Sequence, residues 1–439
     1  MKFYDRTKEL SILKDITAAS HNSAQFTVVT GRRRIGKTTL LLKAFEHETM
    51  LYFFVARKAE KDLCRSFLHE IEDKLGLPQI GAAEDFASLF EYLMKISADR
   101  PFTLVIDEFQ DFLRVNPSVF SDIQRIWDLY KEKSKINLVV SGSINRMMTK
   151  IFKNKTEPLY NRQDHFLTVR PFDTTVIKEI LRDYNPTYTA EDLLALYTFT
   201  GGVAKYISIL MNAGATTQAK MLDAIVRQDS FFIDEGMALL LEEFGKDYGV
   251  YFSILSAIAS GHTERAEIEN TIGKEIGGYL SKLEDDYALI SKKQPIFEKT
   301  SNKKVRYHLN DNFLSFWFRF IFKYNHMLQI NAFEQLKRII ERDYSVYSGI
   351  MLERYFKAKM AESQQYTRIG SWWDRKGENE IDIVAENEID KTALFIEVKK
   401  NPAKYSETAL LDKINVFNRT AKVFHGYKVE HLMLSLADM

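Results

Sequence analysis

Residues 26–39 read FTVVTGRRRIGKTT, and this stretch decides the fold of the first half of the chain. Its first five residues are rich in β-branched side chains and predict a strand. A loop with glycines at positions 31 and 36 follows, and apolar residues at helical spacing come after it. A strand, a loop of the pattern G-x-x-x-x-G-K-[ST] and a helix, in this order, predict a phosphate-binding loop.

The residue types in this loop suit the binding of a nucleotide. Gly31 and Gly36 allow backbone N–H groups to curl around phosphate oxygens, and the next helix adds the partial positive charge of its N-terminus. Lys37 can reach the β- and γ-phosphates, and the Thr38 hydroxyl can bind Mg²⁺. The arginines at 32–34 either bind phosphate or a neighbouring subunit, or form only a solvated surface. The predicted nucleotide-binding residues of the loop are Gly31, Arg34, Gly36, Lys37, Thr38 and Thr39.

Two further strands supply polar side chains to the same predicted site. Residues 103–106 form a continuous apolar run, typical of a parallel strand buried on both faces, and Asp107 and Glu108 follow it. We expect Asp107 to hold Mg²⁺ through water and Glu108 to activate the attacking water, with Lys37 as the other catalytic residue. Residues 136–140 form another strand, and Ser141 or Ser143 after it can sense the γ-phosphate. Ser143 can equally cap the next helix.

The fold class predicted for the first half is α/β. Strand-like runs at 52–55 and 166–169 join the three strands above, and helical patterns lie between them near 58–75, 84–98 and 118–133. Alternating strands and helices predict a parallel sheet covered on both faces.

Residues 1 to about 230 resemble an AAA-type P-loop ATPase of the archaeal and bacterial family related to the STAND signalling ATPases. The resemblance implies ATP rather than GTP, places Asp5 and Arg6 near the adenine, and makes Arg162 an arginine finger or sensor. It also implies a helical lid that opens at Gly201, with Ala204 where the family often has proline. The segments that carry the resemblance are Asp5–Glu9, Gly31–Thr38, Ile106–Glu108, Ser141–Ser143, Pro158–Arg162 and Thr200–Tyr206.

The middle of the chain predicts two helical modules. Residues 190–246 have helical apolar spacing and are interpreted as the lid. Residues 250–309 predict three helices followed by two short strands, an order that resembles a winged helix-turn-helix. The acidic run at 284–286 repels phosphate, so DNA binding and a plain packing role both stay open. The aromatic run at 311–322 predicts a buried helix. The basic residues of the predicted wing, which suit phosphate contacts, are Lys292, Lys293, Lys299, Lys303, Lys304 and Arg306.

The C-terminal part predicts a cluster of charges on one face of a sheet. Residues i and i+2 of a strand share a face, so Glu380 lies beside Asp382, and Glu397 lies beside Lys399. If the two strands are neighbours, three carboxylates and one lysine converge. Clustered carboxylates repel each other, and their burial among apolar residues costs free energy when they have no partner. A divalent cation would relieve that repulsion.

This arrangement resembles the PD-(D/E)XK nuclease superfamily. Asp382 matches its motif aspartate, Glu397-Val398-Lys399 matches its E-x-K, and Glu353 on the preceding helix matches its first acidic position. The resemblance implies Mg²⁺ on Glu353, Asp382 and Glu397, and Lys399 orienting the attacking water or stabilising the pentavalent phosphate. The alternative is a nuclease-like domain retained only as a binding module.

Composition limits the remaining possibilities. The chain has 439 residues. Its net charge of +1 excludes an overall polycation, and its single cysteine excludes an intramolecular disulfide. No apolar run reaches the ~18–20 residues that span a bilayer, so we expect a cytoplasmic protein without a membrane partner. The predicted domains are an ATPase core at 1–188, a lid at 189–246, a winged-helix-like module at 247–325 and a restriction-endonuclease-like α/β domain at 326–439.

Two functions fit this organisation. The first is an ATPase that couples its nucleotide state to DNA binding or to metal-dependent cleavage by the C-terminal domain. The second is a STAND-like switch that acts on a protein partner without cleavage. A homo-oligomer fits both, because sites of the AAA type are usually completed by an arginine from a neighbouring subunit.

Overall fold

The computed structural model describes residues 1–77, 85–142, 145–244, 248–298, 305–374 and 377–439. The chain divides into two compact units, Asp5–Pro171 and a second unit that joins Met1–Tyr4 to Phe172–Met439. The predicted domain boundaries at 188, 246 and 325 all fall inside the second unit, and this finer division stays a prediction.

The first unit is a parallel sheet with helices, as the alternating pattern predicted. Its strand order is β2-β3-β4-β1-β5, and every neighbouring pair is parallel. The strands are β1 (Gln25–Thr30), β2 (Met50–Phe54), β3 (Phe102–Asp107), β4 (Ile136–Gly142) and β5 (His165–Thr168). The helices are α1 (Thr7–Ser20), α2 (Lys37–Ala44), α3 (Glu60–Leu75), α4 (Phe86–Ile96), α5 (Phe112–Val115), α6 (Val119–Tyr130) and α7 (Asn145–Lys153).

The central strands β3 and β4 of this sheet are buried along their whole length, and the polar residues at the carboxyl ends of the strands lie at one edge. Every residue of β3 and β4 is buried, which requires apolar packing on both faces. One packing contact is a stacked pair of rings, Phe53 and Phe67, with centroids 4.2 Å apart. Because all five strands run the same way, their carboxyl ends lie at one edge, and this edge holds Gly31, Asp107 and Ser141.

Five helices follow Phe172 in the second unit, and the last four lie in the region predicted as the lid. They are α8 (Thr174–Tyr184), α9 (Ala190–Thr200), α10 (Ala204–Asn212), α11 (Gln218–Ile225) and α12 (Phe231–Phe244). Helix α10 begins at Ala204, a first helical position that proline also tolerates, so the departure from the family pattern does not disturb the start of this helix.

The next elements follow the predicted order of three helices and two strands. Strands β6 and β7 pair antiparallel, with Ser291 opposite His308. The aromatic run that follows is buried, as predicted, and part of it is π-helical (Trp317–Phe322). The elements are α13 (Tyr248–Ala259), α14 (Arg265–Ile272), α15 (Gly277–Ser281), β6 (Ile290–Lys293), β7 (Arg306–Leu309), α16 (Asn312–Phe316) and α17 (Asn325–Gln329).

The C-terminal elements form a four-stranded mixed sheet. Its order is β11-β10-β9-β8, with β10 parallel to β11 and the other pairs antiparallel. The core of this region contains Trp372, Phe395 and Phe417. The elements are α18 (Phe333–Glu362), β8 (Arg368–Trp373), β9 (Glu380–Asn387), β10 (Thr392–Val398), α19 (Glu407–Ala421) and β11 (Lys428–Leu434).

No helix among the described residues combines the length and apolar character that a membrane crossing needs.

Two helical glycines of the second unit predict opposite effects of alanine. A β-carbon at Gly236 in α12 would overlap the indole of Trp317, whose Nε1 donates to the carbonyl of Ile233 at 2.8 Å. We expect Gly236→Ala to destabilise the protein by about 1–3 kcal/mol through overpacking. Gly349 in α18 has open space around its Cα, so Gly349→Ala should stabilise by about 0.5–1 kcal/mol. Thermal unfolding of the two variants measures the difference, and a loss at both positions would contradict it.

His308 predicts an acid-dependent loss of stability. Burial, reinforced by Lys293, Arg354, Lys357 and Arg306, lowers the pKa of His308 from 6.5 to about 3. As the pH falls below 6.5 the unfolded chain takes up this proton, whereas the folded protein takes it up only near pH 3. The stabilisation is therefore complete above pH 6.5 and is lost as the pH falls toward 3.

When the pH falls from 7 to 5, we expect the free energy of unfolding of wild type to drop by about 2 kcal/mol more than that of His308→Gln. Urea unfolding at both pH values gives this difference. His425→Gln, at an exposed position, is the control for removal of a histidine. Equal losses in wild type and His308→Gln would show that His308 does not contribute.

Candidate functional site: a phosphate-binding loop and a C-terminal carboxylate cluster

The loop between β1 and α2 has the backbone that its glycines predict. Gly31 has φ 148° and Gly36 has φ 96°. A β-carbon at Gly31 would lie 2.5 Å from the carbonyl oxygen of Val169, so only glycine fits there. The N-cap residue of α2 is Gly36, which has no side chain to cap the helix, so the first N–H groups of α2 are suited to a phosphate.

Lys37 is positioned within this loop. Its side chain is buried, and its Nζ donates to the carbonyl oxygens of Gly31 at 2.9 Å and Arg32 at 3.2 Å. Burial lowers the pKa of Lys37 to about 8, against the opposing charges of Glu108 and Asp107. A phosphate group would favour the charged form of this lysine.

Asp107 joins three elements at the carboxyl edge of the sheet. Its Oδ2 accepts from the Thr38 hydroxyl at 2.9 Å and from the Tyr52 hydroxyl at 2.6 Å, and its Oδ1 accepts from the Glu108 N–H at 3.0 Å. Thr38 and Asp107 thus bring a hydroxyl and a carboxylate together, the hard oxygen donors that Mg²⁺ prefers. Tyr52 was missed from the sequence, because only the pairing of β2 with β3 places it beside Asp107.

Glu108 and Ser141 lie at the ends of β3 and β4. Glu108 has the left-handed φ of 53°, and its Oε2 accepts from Gln110 Nε2 at 2.5 Å. Such backbone strain is frequent at functional sites. The Oγ of Ser141 is fully buried and has no hydrogen-bond partner among the described residues. Ser143, the other predicted sensor, lies outside them.

Arg6 reaches the phosphate-binding loop, and its predicted place near the adenine stays a prediction. It is buried, its NH2 donates to the Ile35 carbonyl at 3.4 Å, and its NH1 pairs with Glu9 at 3.2 Å. Asp5 before it is exposed, and both residues have left-handed backbone angles. Of the other predicted residues, Arg34 and Thr39 are exposed on the loop and on the first turn of α2.

Arg162 lies at the opposite edge of the sheet. Its Nε pairs with Asp128 at 3.1 Å, and Asp164 two residues later bonds to the backbone of Phe26 at the start of β1. At about 3.3 Å per residue, β1 separates this edge from Gly31 by roughly 15 Å. The structure therefore does not bring Arg162 to Lys37, and a role as an arginine finger stays a prediction that needs a second copy of the chain.

In the C-terminal sheet, the predicted motif residues do come together. Strands β9 and β10 pair with Ile383 opposite Ile396, so Asp382 and Glu397 are the next residues on the two strands. Asp382 Oδ2 accepts from the Val398 N–H at 2.8 Å. Lys399 Nζ lies 2.7 Å from Glu397 Oε1 and 3.9 Å from Asp382 Oδ2.

Glu353 of α18 belongs to the same cluster. Burial, then the charge of Asp382, raises the pKa of Glu353 to about 7. Burial and Glu397 likewise raise the pKa of Asp382. Carboxyl groups with raised pKa values next to each other are typical of functional sites and of cation sites.

Basic side chains pair with all four carboxylates of this cluster. Besides Lys399, the pairs are Glu353–Lys357 at 4.0 Å, Glu397–Lys413 at 3.0 Å and Glu380–Arg306 at 3.0 Å. Sequence reasoning missed Lys413 and Arg306, because neither stands near the motif in the chain. Within the described ranges, no group of three or more Asp, Glu, His or Cys side chains is arranged to hold a metal ion. The donor chemistry fits a divalent cation, but this conformation does not gather the ligands around one point.

Family models match two parts of the chain. Residues 3–210 match the model of a family described as an ATPase domain predominantly from Archaea, and residues 317–410 match archaeal and bacterial proteins of unknown function. The chain is 32% identical over 407 residues to the uncharacterized protein MJECL04 of Methanocaldococcus jannaschii, covering 90% of this chain and 87% of that protein.

Two solved structures share the fold. The Walker-type ATPase PABY2304 of Pyrococcus abyssi superposes with a TM-score of 0.55 at 16% identity, covering 72% of this chain and 96% of that one. The ORC2 protein of Aeropyrum pernix, solved with ADPNP and ADP, gives a TM-score of 0.52 at 13% identity, covering 75% and 96%. Residues 3–210 match the ATPase family model and hold the phosphate-binding loop, so this part of the chain is a P-loop ATPase domain that hydrolyses ATP. The chain as a whole belongs to the family of the M. jannaschii protein.

Proposed function

We propose that this ATPase couples its nucleotide state to metal-dependent cleavage of DNA, or to DNA binding, by a C-terminal domain of the PD-(D/E)XK type. The observation that carries the proposal is the convergence of Asp382, Glu397 and Lys399 on Glu353, at the ends of two paired strands. The order α18, β8, β9, β10, α19, β11 agrees with the helix, three strands, helix and strand implied by the resemblance.

For the ATPase step we assign roles from the geometry of the loop. Lys37 and the free N–H groups of α2 bind the phosphates, and Glu108 activates the attacking water. Ser141, whose buried hydroxyl has no partner among the described residues, senses the γ-phosphate. Mg²⁺, held by Thr38 and Asp107, supplies charge neutralisation on the phosphates. The adenine nucleotides of the A. pernix ORC2 structure support ATP as the nucleotide here.

Coupling would pass through contacts inside the second unit. The carboxylate of Glu362, at the end of α18, accepts from the Thr174 N–H at 3.0 Å and caps α8. Lys400, the residue after Lys399, pairs with Glu191 of α9 at 2.9 Å. Movement of α8, which precedes the predicted lid, or of the lid helix α9 would therefore act directly next to the carboxylate cluster.

At the C-terminal cluster, Asp382, Glu397 and Glu353 would bind the divalent cation and Lys399 would orient the attacking water. Water would attack the phosphodiester phosphorus and lose a proton to solvent, while the bond to the leaving sugar oxygen would break and that oxygen would take up a proton from solvent. Binding of the cation requires Lys399 and Lys413 to release Glu397, to which both are bonded. The cation supplies electrostatic stabilisation of the phosphorane charge.

A STAND-like switch without cleavage is the second candidate. The observation that favours it is the neutralisation of all four carboxylates by basic side chains, with no three-ligand metal group among the described residues. A homo-oligomer fits either function, since Arg162 lies far from its own loop. The cytoplasmic location expected from the sequence is part of both proposals.

We expect the hydrogen bond from the Tyr52 hydroxyl to Asp107 to contribute measurably to the rate of ATP hydrolysis. Tyr52→Phe removes the bond that orients Asp107, so we expect the rate of ATP hydrolysis to fall about 5- to 30-fold, with the nucleotide Kd within about twofold of wild type. Lys37→Ala should lose hydrolysis. Tyr130→Phe is the matched control, because its hydroxyl donates to Glu91 at 2.8 Å in the same unit away from the loop. Equal rates for Tyr52→Phe and Tyr130→Phe would contradict the role of Tyr52.

A cleavage assay tests the C-terminal domain. Plasmid, linear and branched DNA are incubated with Mg²⁺ or Mn²⁺, with and without ATP, and with wild type, Asp382→Asn and Lys37→Ala. We expect cleavage by wild type, loss in Asp382→Asn, and an altered response to ATP in Lys37→Ala. Asp390→Asn, at an exposed loop position, is the matched control and should cleave. No cleavage of any substrate with ATP hydrolysis intact would overturn the nuclease proposal and favour the switch.

A further inference from the structure

The hairpin interpreted as a wing, for which the sequence left DNA binding and a packing role open, packs on the C-terminal sheet. We call residues 290–298 and 305–309 the docked hairpin. The N–H of Ile296 donates to the Ser371 carbonyl of β8 at 2.8 Å, and the Ile296 side chain is buried in the C-terminal core. The ring of Phe297 lies 5.1 Å from that of Phe424. These contacts bind the hairpin to the domain that carries the carboxylates.

Arg306 extends this contact to the carboxylate cluster. Its guanidinium pairs with Glu380 at 3.0 Å and lies 4.5 Å above the ring of Trp373. Its side chain is only 21% exposed, although 42% of the Glu380 side chain reaches solvent. Glu380 precedes Asp382 by two residues on β9, so the two side chains share one face of the strand. Arg306 therefore places a positive charge at the border of the cluster.

The origin of the four cations distinguishes Arg306 from the others. Lys357, Lys399 and Lys413 belong to α18, the end of β10 and α19, so they stay with the cluster when the C-terminal domain moves. Among the described basic residues paired with these carboxylates, Arg306 alone comes from outside the C-terminal elements. Its charge can leave the cluster without unfolding that domain.

Lys293 shows that the hairpin faces inward. Burial, followed by the charges of Lys357 and Arg354, lowers the pKa of Lys293 to about 8. Of the three described basic residues of the predicted wing, only Lys292 is exposed. Two of these cations thus face the C-terminal domain, and a duplex cannot contact them while the hairpin is docked.

We infer that the docked hairpin inhibits the carboxylate cluster from within the chain. With Arg306 on Glu380, the guanidinium repels a divalent cation and occupies a carboxylate of the cluster. Release of the hairpin removes that charge and uncovers the β8 edge of the sheet. The same release turns Arg306 and Lys293 toward solvent, where they suit nucleic-acid phosphate. This inference rests on the proposed function, since it assumes that the cluster binds a metal ion.

The test is Mn²⁺ binding to the full-length protein without nucleotide, followed by electron paramagnetic resonance. We expect Arg306→Gln to bind Mn²⁺ about tenfold more tightly than wild type, because one positive charge leaves the site. Phe297→Ala removes a ring that anchors the hairpin and should tighten binding similarly, which keeps the test valid if one variant folds poorly. Arg265→Gln breaks the Arg265–Glu269 pair of 2.8 Å in α14 and is the matched control.

Hydrogen exchange of residues 290–298 reports docking independently, through the Ile296 N–H. Faster exchange and tighter Mn²⁺ binding in Phe297→Ala support the inference. If wild type, Arg306→Gln and Phe297→Ala bind Mn²⁺ equally well, the hairpin does not inhibit the cluster. If Asp382→Asn abolishes that binding, the metal site itself is still supported. Absence of Mn²⁺ binding in every variant, with exchange showing release in Phe297→Ala, would overturn the metal site and the proposed nuclease as well.

Discussion

The close approach of Gly31 to the Val169 carbonyl sets the shape of the phosphate-binding loop, and the nucleotide site depends on that shape. The approach joins the end of β1 to the end of β5 and excludes any side chain at position 31. The loop then returns to start α2 at Lys37, whose ammonium bonds to the loop carbonyls. Thr38 follows at the position where its hydroxyl meets Asp107. One glycine contact thus fixes the spacing between lysine, hydroxyl and carboxylate.

Local sequence patterns were sufficient for the parts of the fold that depend on neighbours in the chain. The phosphate-binding loop, the acidic end of β3 and the strands of the C-terminal motif are contiguous segments, and each lies where its pattern predicted. Tyr52, Lys413 and Arg306 could not be found in this way. Each reaches its carboxylate only through strand order or helix packing, and no spacing in the chain records those contacts.

The basic hairpin shows what a count of charges leaves open about a DNA surface, and DNA binding by this segment stays a prediction. Six basic residues in a short segment suggest phosphate contacts, but charge count does not tell which way a side chain points. Apolar residues in the same segment decide that question. Ile296 and Phe297 are anchored in the C-terminal core, and their burial brings Arg306 against Glu380. Arg306 therefore has a carboxylate of its own chain as its partner.

Both sites follow the same physical rule, that a buried charge must have a partner. Lys37 uses the carbonyls of its own loop, and the carboxylate cluster uses lysines and Arg306. A phosphate or a metal ion that enters either site therefore replaces the protein groups already bonded to the buried charge. Its net binding free energy is the difference between the free energies of the new contacts and of the contacts that are lost. Such a site responds strongly to any movement that removes a competing partner. The contact between Lys400 and Glu191 ties helix α9 to the residue beside Lys399, so a displacement of α9 would act on the contact between Lys399 and Glu397.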